Sequence, residues 1–317
     1  MRRRTFVGGA FASLPITGAF AKPPRVKSGD IPMKEFGKTG HKVTIVGQAG
    51  GRFYLCTFSQ AKAVTLKAYD LGINYFDCAH LYWDGRSEDV YGEALKPFRK
   101  EVFLTSKAQK RTREEAEKEL HQSLMRMQTD YLDLWSVHAV STMDDVEKVF
   151  APGGAMEAFV AAKKAGKCRF IGFTGHHDPH IHMEMMKRYD KFDTIFMPLH
   201  IADSSYLSFE KIALQEAAKR NLGVQVMKSL ANSRLLKTFT LKECLDFVLT
   251  LPVSVVAMGA VTPQQIEEDV RIAQQFKPLS AGQMAELRER GKAVSGPALE
   301  DWKRKEASAG AAAYVGG

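Results

Sequence analysis

Apolar and polar positions alternate in a regular series from Met33 to about residue 303. Short apolar runs, typical of buried strands, are each followed by a longer segment in which apolar residues recur at helical spacing. The pattern predicts eight strands, at Thr44–Gly47, Ile73–Asp77, Val102–Ser106, Tyr131–His138, Arg169–Thr174, Thr194–Pro198, Val224–Met227 and Val253–Met258. It predicts helices that begin near Ser59, Ser87, Arg113, Gly154, Pro179, Ser208, Thr240 and Pro263.

Eight strand–helix units in one series predict an α/β fold, a (β/α)8 TIM barrel. A doubly wound sheet also alternates, but it has fewer units and a glycine-rich first turn. The segment GQAGGRF after the first strand lacks the G-x-G-x-x-G pattern. The segment MKEFGKTGHKVTIVG before it predicts a small β-hairpin that turns at residues 38–40.

Several helix starts carry the expected capping residues. Ser59, Ser87, Ser208 and Thr240 are predicted as N-caps, because a hydroxyl oxygen accepts a hydrogen bond from the first turn of a helix. Pro263 suits the first helical position, where its missing N–H is not needed.

The N-terminal residues 1–21 have a basic start, an apolar middle and Ala19-Phe20-Ala21 at the end. This three-part plan is typical of an export signal with an A-x-A cleavage site. Arg3 and Arg4, followed by Thr5 and Phe6, resemble the twin-arginine signal. We therefore expect a signal peptide at 1–21, a linker at 22–32, the barrel at 33–303 and a flexible tail at 304–317. The twin-arginine export machinery would then be a partner, and the periplasm the location; a disordered tail is the alternative.

Composition excludes several function classes. The chain has 317 residues and a formal net charge of +9, but no long basic run, so we expect no nucleic-acid partner. No run after residue 21 is apolar enough to predict a membrane span. The four cysteines form no C-x-x-C pair, which argues against a cysteine-built metal site.

The segment GHHDPHIHMEMM contains four histidines, at 176, 177, 180 and 182. Two of them at a helical turn's spacing could ligate a metal. A polar loop that opens a helix at Pro179 is the favoured interpretation, because no carboxylate or cysteine completes a ligand set. We predict no metal.

Polar residues lie where three neighbouring strands end. Asp77 ends the second strand, Tyr82 follows in its loop, Lys107 ends the third strand and His138 ends the fourth. The carboxyl ends of parallel barrel strands form one face, where catalytic groups gather. These four side chains are therefore expected to converge in one site.

The four residue types together suit proton transfer. A free tyrosine has a pKa of about 10, and a nearby ammonium is expected to lower this pKa. A carboxylate would hold the lysine, and an imidazole would orient a substrate oxygen. Such a general acid beside a polarised carbonyl suits carbonyl reduction, and the electrons must then come from a hydride-carrying cofactor.

Four segments in order resemble the motifs of the aldo-keto reductases. They are FDCAHLYWDGRSEDVYGEAL, LTSK, SLMRMQTDYLDLWSVH and AKKAGKCRFIGFTGH. The resemblance implies a barrel closed at its bottom by the N-terminal hairpin, and reduction of a small-molecule aldehyde or ketone by NADPH or NADH. It implies Tyr82 as proton donor, Lys107 and Asp77 as its tuners, and His138 as the residue that orients the substrate.

The same resemblance implies cofactor-binding positions, several of which depart from the family pattern. Thr174 and Gly175 stand for a Ser-Asn pair, so the hydroxyl is kept and the amide is lost. Phe196 stands for a glutamine, and Met227, followed by Lys228, for an aromatic that stacks on the nicotinamide. The backbone near Thr262 is expected to receive the pyrophosphate. After the eighth strand, the remaining positions are Gly259 and Gln265 for a basic pair, and Glu268 and Asp269 for a Glu-Asn pair.

These departures leave the choice between NADH and NADPH open. They also leave an alternative function, a catalytically weak dinucleotide-binding barrel that acts as a redox sensor or binds a partner protein. A barrel that uses another electron source, or none, is the third possibility.

Overall fold

The computed structural model describes residues 31–303. The predicted signal at 1–21, most of the predicted linker and the predicted tail at 304–317 lie outside the described residues. The described part begins with an antiparallel hairpin of β1 (Met33–Glu35) and β2 (Lys42–Thr44), which turns through a short 3-10 segment at Gly37–Thr39.

Eight parallel strands follow and close into a barrel in chain order, with the last strand paired to the first. This confirms the predicted (β/α)8 fold. The strands are β3 (Val46–Ala49), β4 (Tyr75–Asp77), β5 (Phe103–Ala108), β6 (Leu132–Val137), β7 (Cys168–Thr174), β8 (Thr194–Pro198), β9 (Gly223–Met227) and β10 (Val255–Met258).

Helices connect the strands and cover the barrel. They are α1 (Phe58–Asp70), α2 (Arg86–Leu95), α3 (Arg113–Arg126), α4 (Met143–Phe150), α5 (Ala155–Lys164), α6 (Pro179–Arg188), α7 (Ala213–Lys219), α8 (Leu241–Thr250), α9 (Pro263–Gln274) and α10 (Ala281–Lys292). No helix within residues 31–303 is long and apolar enough to cross a bilayer.

The structure corrects three predicted caps. Ser208 caps no α-helix: its hydroxyl accepts from the Lys211 N–H at 3.0 Å, and the N-cap of α7 is Ile212. Thr57, not Ser59, caps α1 and shares a capping box with Gln60. Ser87 lies inside α2, where its hydroxyl donates to the Gly50 carbonyl at 2.9 Å instead of capping a helix. The predicted cap at Thr240 is confirmed, because its side chain accepts from the backbone N–H of Glu243.

The hairpin closes the bottom of the barrel, as predicted. Phe36 is fully buried, and its ring packs edge-on against Tyr75 and Phe103, at the starts of β4 and β5. Gly37 has φ +55°, and a Cβ at this position would lie 2.2 Å from the Gly223 nitrogen. Only glycine permits this approach of the hairpin to β9. With the bottom filled, the open end is the one where the strands' carboxyl ends meet.

Candidate active site

A cleft of about 240 Å³ opens at the carboxyl ends of the barrel strands. It takes residues from the loops after β3, β4, β6, β7, β9 and β10, and a wall from the C-terminal segment. Among the predicted catalytic residues, Asp77, Tyr82 and His138 line this cleft. Lys107 lies directly beneath them, bonded to Asp77.

Lys107 and Asp77 form a buried ion pair. Lys107 Nζ lies 2.7 and 2.8 Å from the two Asp77 carboxylate oxygens, and both side chains are almost completely buried. Lys107 also donates to the Cys78 carbonyl at 2.6 Å, and the Thr105 hydroxyl donates to Asp77 at 2.9 Å. These contacts hold the ammonium at one place, and the carboxylate raises the pKa of Lys107 although burial opposes it.

Tyr82 lies above this pair, on the same side of the barrel wall. Lys107 Nζ is 4.9 Å from the centroid of the Tyr82 ring. The ring is half-buried and packs against the backbone at Gly51, where an added Cβ would lie 3.3 Å from it. The geometry thus brings the phenol and the ammonium together.

The pKa of Tyr82 differs from the sequence-based expectation. Lys107 acts to lower it, but burial dominates and raises the pKa of Tyr82 to about 12. The negative charge of Asp77 acts in the same direction as burial. The lysine therefore moderates the cost of forming a buried phenolate, and the tyrosine remains protonated at neutral pH.

His138 completes the polar floor of the cleft. Its ring meets that of Tyr82 edge to face, with centroids 5.6 Å apart, and its backbone N–H donates to the Ala108 carbonyl at 2.9 Å. Burial, with Lys107 and His176 nearby, holds the pKa of His138 well below its usual value. Within residues 31–303 its Nδ1 has no hydrogen-bond partner. A neutral imidazole thus faces the cleft beside the phenol.

The loop that carries Tyr82 is fixed by residues that the sequence reasoning missed. Trp83 and Asp84 both have φ +52°, and Gly85 has φ +88°, so three successive residues are left-handed. Arg126 from α3 lies over this turn and contacts the carboxylate of Glu88, which is fully buried, at 3.3 Å. The sequence did offer a signal for this contact, because Glu88 and Arg126 each lie within one of the motifs that resemble those of the aldo-keto reductases.

Three of the predicted cofactor-binding residues line the cleft, namely Met227, Lys228 and Gly259. The other five do not. Thr174 is buried, and its Oγ1 accepts from the Ala139 N–H at 2.8 Å. Thr262 and Gln265 form the capping box of α9. Glu268 pairs with Arg271, and Asp269 is buried. The roles assigned to these residues stay predictions.

At two positions where the resemblance implies a side-chain amide, the chain has a residue without one. Phe196 lines the cleft with its ring 5.3 Å from Lys107 Nζ, and Gly175 carries no side chain. His176 and His177 line the cleft just beyond Gly175. Burial holds the pKa of His176 well below its usual value, so it is a neutral imidazole at this edge.

The C-terminal wall of the cleft was not predicted. Trp302 lines it, and the segment Asp301–Lys303 forms a short 3-10 turn. His177 Nδ1 lies 3.3 Å from the Trp302 carbonyl, and Lys228 Nζ lies 5.5 Å from the Trp302 ring. A single tryptophan among charged residues near the chain end gives no periodic signal.

Comparison with known proteins assigns the chain to a family. A family model described as the aldo/keto reductase family matches residues 48–244. The chain belongs to the aldo/keto reductase family. Members of this family bind NADPH or NADH, as predicted.

Curated relatives match over part of their length. The chain is 30% identical over 142 residues to the uncharacterized oxidoreductase YqkF of Bacillus subtilis, and 31% identical over 160 residues to the L-galactose dehydrogenase of Arabidopsis thaliana. These alignments cover 41% and 46% of this chain, and 44% and 49% of the relatives. The chain thus matches less than half the length of either.

Solved structures show the same fold. The holo form of the aldo-keto reductase AKR11C1 from Bacillus halodurans superposes with a TM-score of 0.71 at 23% identity, covering 87% of this chain and 100% of that one. An aldo/keto reductase from Klebsiella pneumoniae, in complex with NADP and acetate, gives a TM-score of 0.66 at 21% identity, covering 81% of this chain and 94% of that one.

The cleft fits a nicotinamide dinucleotide in part. Two basic residues, Arg52 and Lys228, line it and suit phosphate groups, and the stem of Arg52 lies over Gly259. Phe196 and Gly175 offer no amide for the carboxamide of a nicotinamide. The imidazoles of His138 and His176 line the cleft there.

Proposed function

We propose that the protein reduces an aldehyde or ketone with NADPH or NADH, and that Tyr82 is the general acid. One observation carries this proposal. The phenol of Tyr82 and the neutral imidazole of His138 line one cleft at the carboxyl ends of the barrel strands, and the ammonium of Lys107 lies beneath them, 4.9 Å from the Tyr82 ring centroid.

When bound, the reduced nicotinamide supplies a hydride to the carbonyl carbon of the substrate. The Tyr82 hydroxyl donates its proton to the carbonyl oxygen, which becomes the hydroxyl of the alcohol product. Lys107 stabilises the phenolate that remains, and Asp77 keeps Lys107 in place. His138 donates a hydrogen bond to the same oxygen and orients it. Solvent then returns a proton to Tyr82.

Tyr82→Phe is the direct test of the general acid. The change removes one hydroxyl and retains the ring, so aldehyde reduction should fall about 10²–10⁴-fold, the usual contribution of a general acid. Dissociation constants for NADH and NADPH, measured by fluorescence titration, should stay nearly unchanged. Tyr131→Phe is the control, because Tyr131 lies at the other end of the barrel, before β6, where it accepts from Arg169. Wild-type turnover in Tyr82→Phe would show that the acid is another residue.

A second candidate function is dinucleotide binding with weak or no turnover, for sensing or for contact with a partner protein. Phe196 and Gly175 favour it, because neither fixes the amide of a nicotinamide in a productive orientation. The wild-type protein distinguishes the two functions. Turnover of a simple aldehyde with either cofactor supports the reductase, and tight binding without turnover supports the sensor.

We also propose export to the periplasm by the twin-arginine machinery, on the basis of residues 1–21. Replacement of Arg3 and Arg4 by lysine should retain the protein in the cytoplasm of the producing cell. Cell fractionation measures this, and unchanged distribution of the variant would contradict the proposal.

A further inference from the structure

Thr105 lies between the ion pair of the active site and the interior of the barrel. It is the register partner of Asp77 on the neighbouring strand, β5, and its side chain is buried. Its hydroxyl donates to Asp77 Oδ1 at 2.9 Å, the same oxygen that Lys107 Nζ contacts at 2.7 Å. The other carboxylate oxygen, Oδ2, accepts from Lys107 at 2.8 Å. The threonine thus supports the carboxylate from the side away from the cleft.

The single proton of the Thr105 hydroxyl has two oxygens near it, those of Asp77 and Tyr75. Burial and the charge of Asp77 raise the pKa of Tyr75 well above its usual value, and a hydrogen bond from Thr105 acts against them. Tyr75 donates its own proton to Gln225 Oε1. A carboxylate accepts a hydrogen bond about twice as strong as a neutral oxygen does. The Thr105 proton is therefore directed to Asp77.

The layer beneath Thr105 is rigid. The bond from Tyr75 to Gln225 joins β4 to β9, strands that are not neighbours in the barrel, so it crosses the interior. The Tyr75 ring stacks on Phe103, with centroids 5.9 Å apart. A Cβ at Gly47 would lie 2.4 Å from the Tyr75 Cδ1, so the ring fills the space above that glycine. The direction of the Thr105 hydroxyl is thus set before any substrate enters.

Burial disfavours the charge of Asp77. It raises the pKa of Asp77, whereas Lys107 and, after it, the hydrogen bond from Thr105 act to lower this pKa. Burial also raises the pKa of the other titratable groups that act on Asp77, so they are neutral at neutral pH and supply no positive charge; they are Tyr75, Cys78, Tyr82 and Tyr91. The charge of Asp77 therefore depends on Lys107 and on Thr105.

We propose that Thr105 is a positioning residue for carbonyl reduction, whose hydroxyl keeps Asp77 ionised so that Lys107 stays charged and in place beneath Tyr82. The inference rests on the proposed function. Without the hydroxyl, Asp77 takes up a proton at the acid end of the working range and no longer holds the ammonium with two charged oxygens. Lys107 then stabilises the phenolate of Tyr82 less well. Thr105 lies beneath the residues that line the cleft, so cofactor binding is not affected.

Thr105→Val removes the hydroxyl and keeps the branched shape of the side chain. At saturating cofactor, kcat for aldehyde reduction should fall about tenfold or more at pH 6, because one hydrogen bond to a charged group is lost. It should approach the wild-type kcat by pH 9, where Asp77 is ionised again. The KM for the cofactor should stay nearly unchanged. Thr105→Ser retains the hydroxyl and should restore the flat profile.

Thr65→Val is the matched control. Thr65 is also buried, but its hydroxyl bonds the Ala61 carbonyl at 2.8 Å within α1. This variant loses a buried hydrogen bond far from Asp77, so its kcat should depend on pH as the wild-type kcat does. A flat, wild-type profile in Thr105→Val would overturn the proposal. So would a loss of kcat by the same factor at every pH, because the hydroxyl would then not govern the ionisation of Asp77.

Infrared difference spectroscopy between pH 9 and pH 6 follows the protonation of Asp77 without turnover. Thr105→Val should show a carboxylic acid C=O band that the wild type lacks, and Thr105→Val/Asp77→Asn should lose it. Asp269, whose pKa burial raises to about 7, contributes equally to every spectrum. If the wild type reduces no carbonyl compound but the band appears, the proposed function fails and the role of Thr105 in holding the charge stands. If the wild type reduces aldehydes and Thr105→Val shows neither the band nor the acid loss, the reverse holds.

Discussion

At the scale of the residue, the proton of Tyr82 is held by burial rather than released by charge. The sequence indicates an ammonium beside the phenol, and the structure has it, with Lys107 Nζ 4.9 Å from the ring centroid. It does not indicate that burial of the Tyr82 side chain outweighs the charge of Lys107 and, with the carboxylate of Asp77, raises the pKa of Tyr82 to about 12. Residue types and strand ends are readable from sequence, whereas desolvation depends on neighbours brought in by the fold.

The pH dependence of carbonyl reduction follows from these two groups. Burial holds the pKa of His138 well below its usual value, so the imidazole is neutral at neutral pH, and Tyr82, with a pKa of about 12, stays protonated above pH 9. At saturating cofactor, kcat for reduction should therefore be flat from about pH 6 to 9. Saturation matters because Lys228 lines the cleft and burial lowers its pKa to about 7, so cofactor affinity can change with pH. A break near pH 6.5 that disappears in His138→Gln would contradict a neutral, buried imidazole.

At the scale of the element, the turn after Tyr82 has a left-handed backbone, and Arg126 of α3 packs against it. Three left-handed residues follow the tyrosine, and the Arg126 guanidinium covers the third, Gly85. Arg126 Nη1 also lies 3.2 Å from His80 Nδ1, and Glu88 accepts from the Ser106 hydroxyl at 2.6 Å. These hydrogen bonds connect the loop after β4 with α2, α3 and β5. We expect them to position Tyr82, although their residues do not themselves contact the substrate.

Gly85→Ala should misplace Tyr82. The new Cβ would lie 2.2 Å from the Arg126 Cζ, so the guanidinium must leave the turn, and the φ of +88° strains any residue other than glycine. We expect kcat to fall at least about tenfold while the dissociation constant for NADH changes little. Gly153→Ala is the matched control, since its φ is +73° and nothing lies within 4 Å of the added carbon. Equal effects of the two variants on kcat would show that the turn does not position the acid.

Sequence periodicity predicted the elements better than their ends. The strand Thr194–Pro198 has the predicted bounds, whereas the first barrel strand begins at Val46, because Thr44 belongs to the hairpin and bonds Asn74. The helix α4 was missed although Thr142 and Asp145 form a capping box at its start. Eight residues are too few for an amphipathic repeat to stand out.

At the scale of the whole molecule, the end of the described chain returns to the barrel and closes one side of the cleft. Lys303 Nζ bonds Asp203 at 2.8 Å, a contact between residues 100 positions apart, and also pairs with Glu300. His200 lies 3.2 Å from the Glu300 carboxylate, and all four side chains are fully buried. No local pattern could predict this cluster, because its partners meet only when the fold is complete. It holds Trp302 in the cleft wall.

Lys303→Met tests how much the buried cluster of Lys303, Asp203 and Glu300 contributes to the free energy of unfolding. The change leaves the carboxylates of Asp203 and Glu300 buried without their ammonium, so the free energy of unfolding should fall by about 3–5 kcal/mol. Urea denaturation followed by circular dichroism measures it. Adding Asp203→Asn to the variant should restore part of the loss, since one unpaired charge is then removed. Lys118→Met is the control: Lys118 pairs with Glu114 at the surface, and its loss should cost less than about 1 kcal/mol. If Lys303→Met is as stable as Lys118→Met, the cluster does not anchor the C-terminal segment. Trp302 must then be held in the cleft by its contacts with His177 and Lys228.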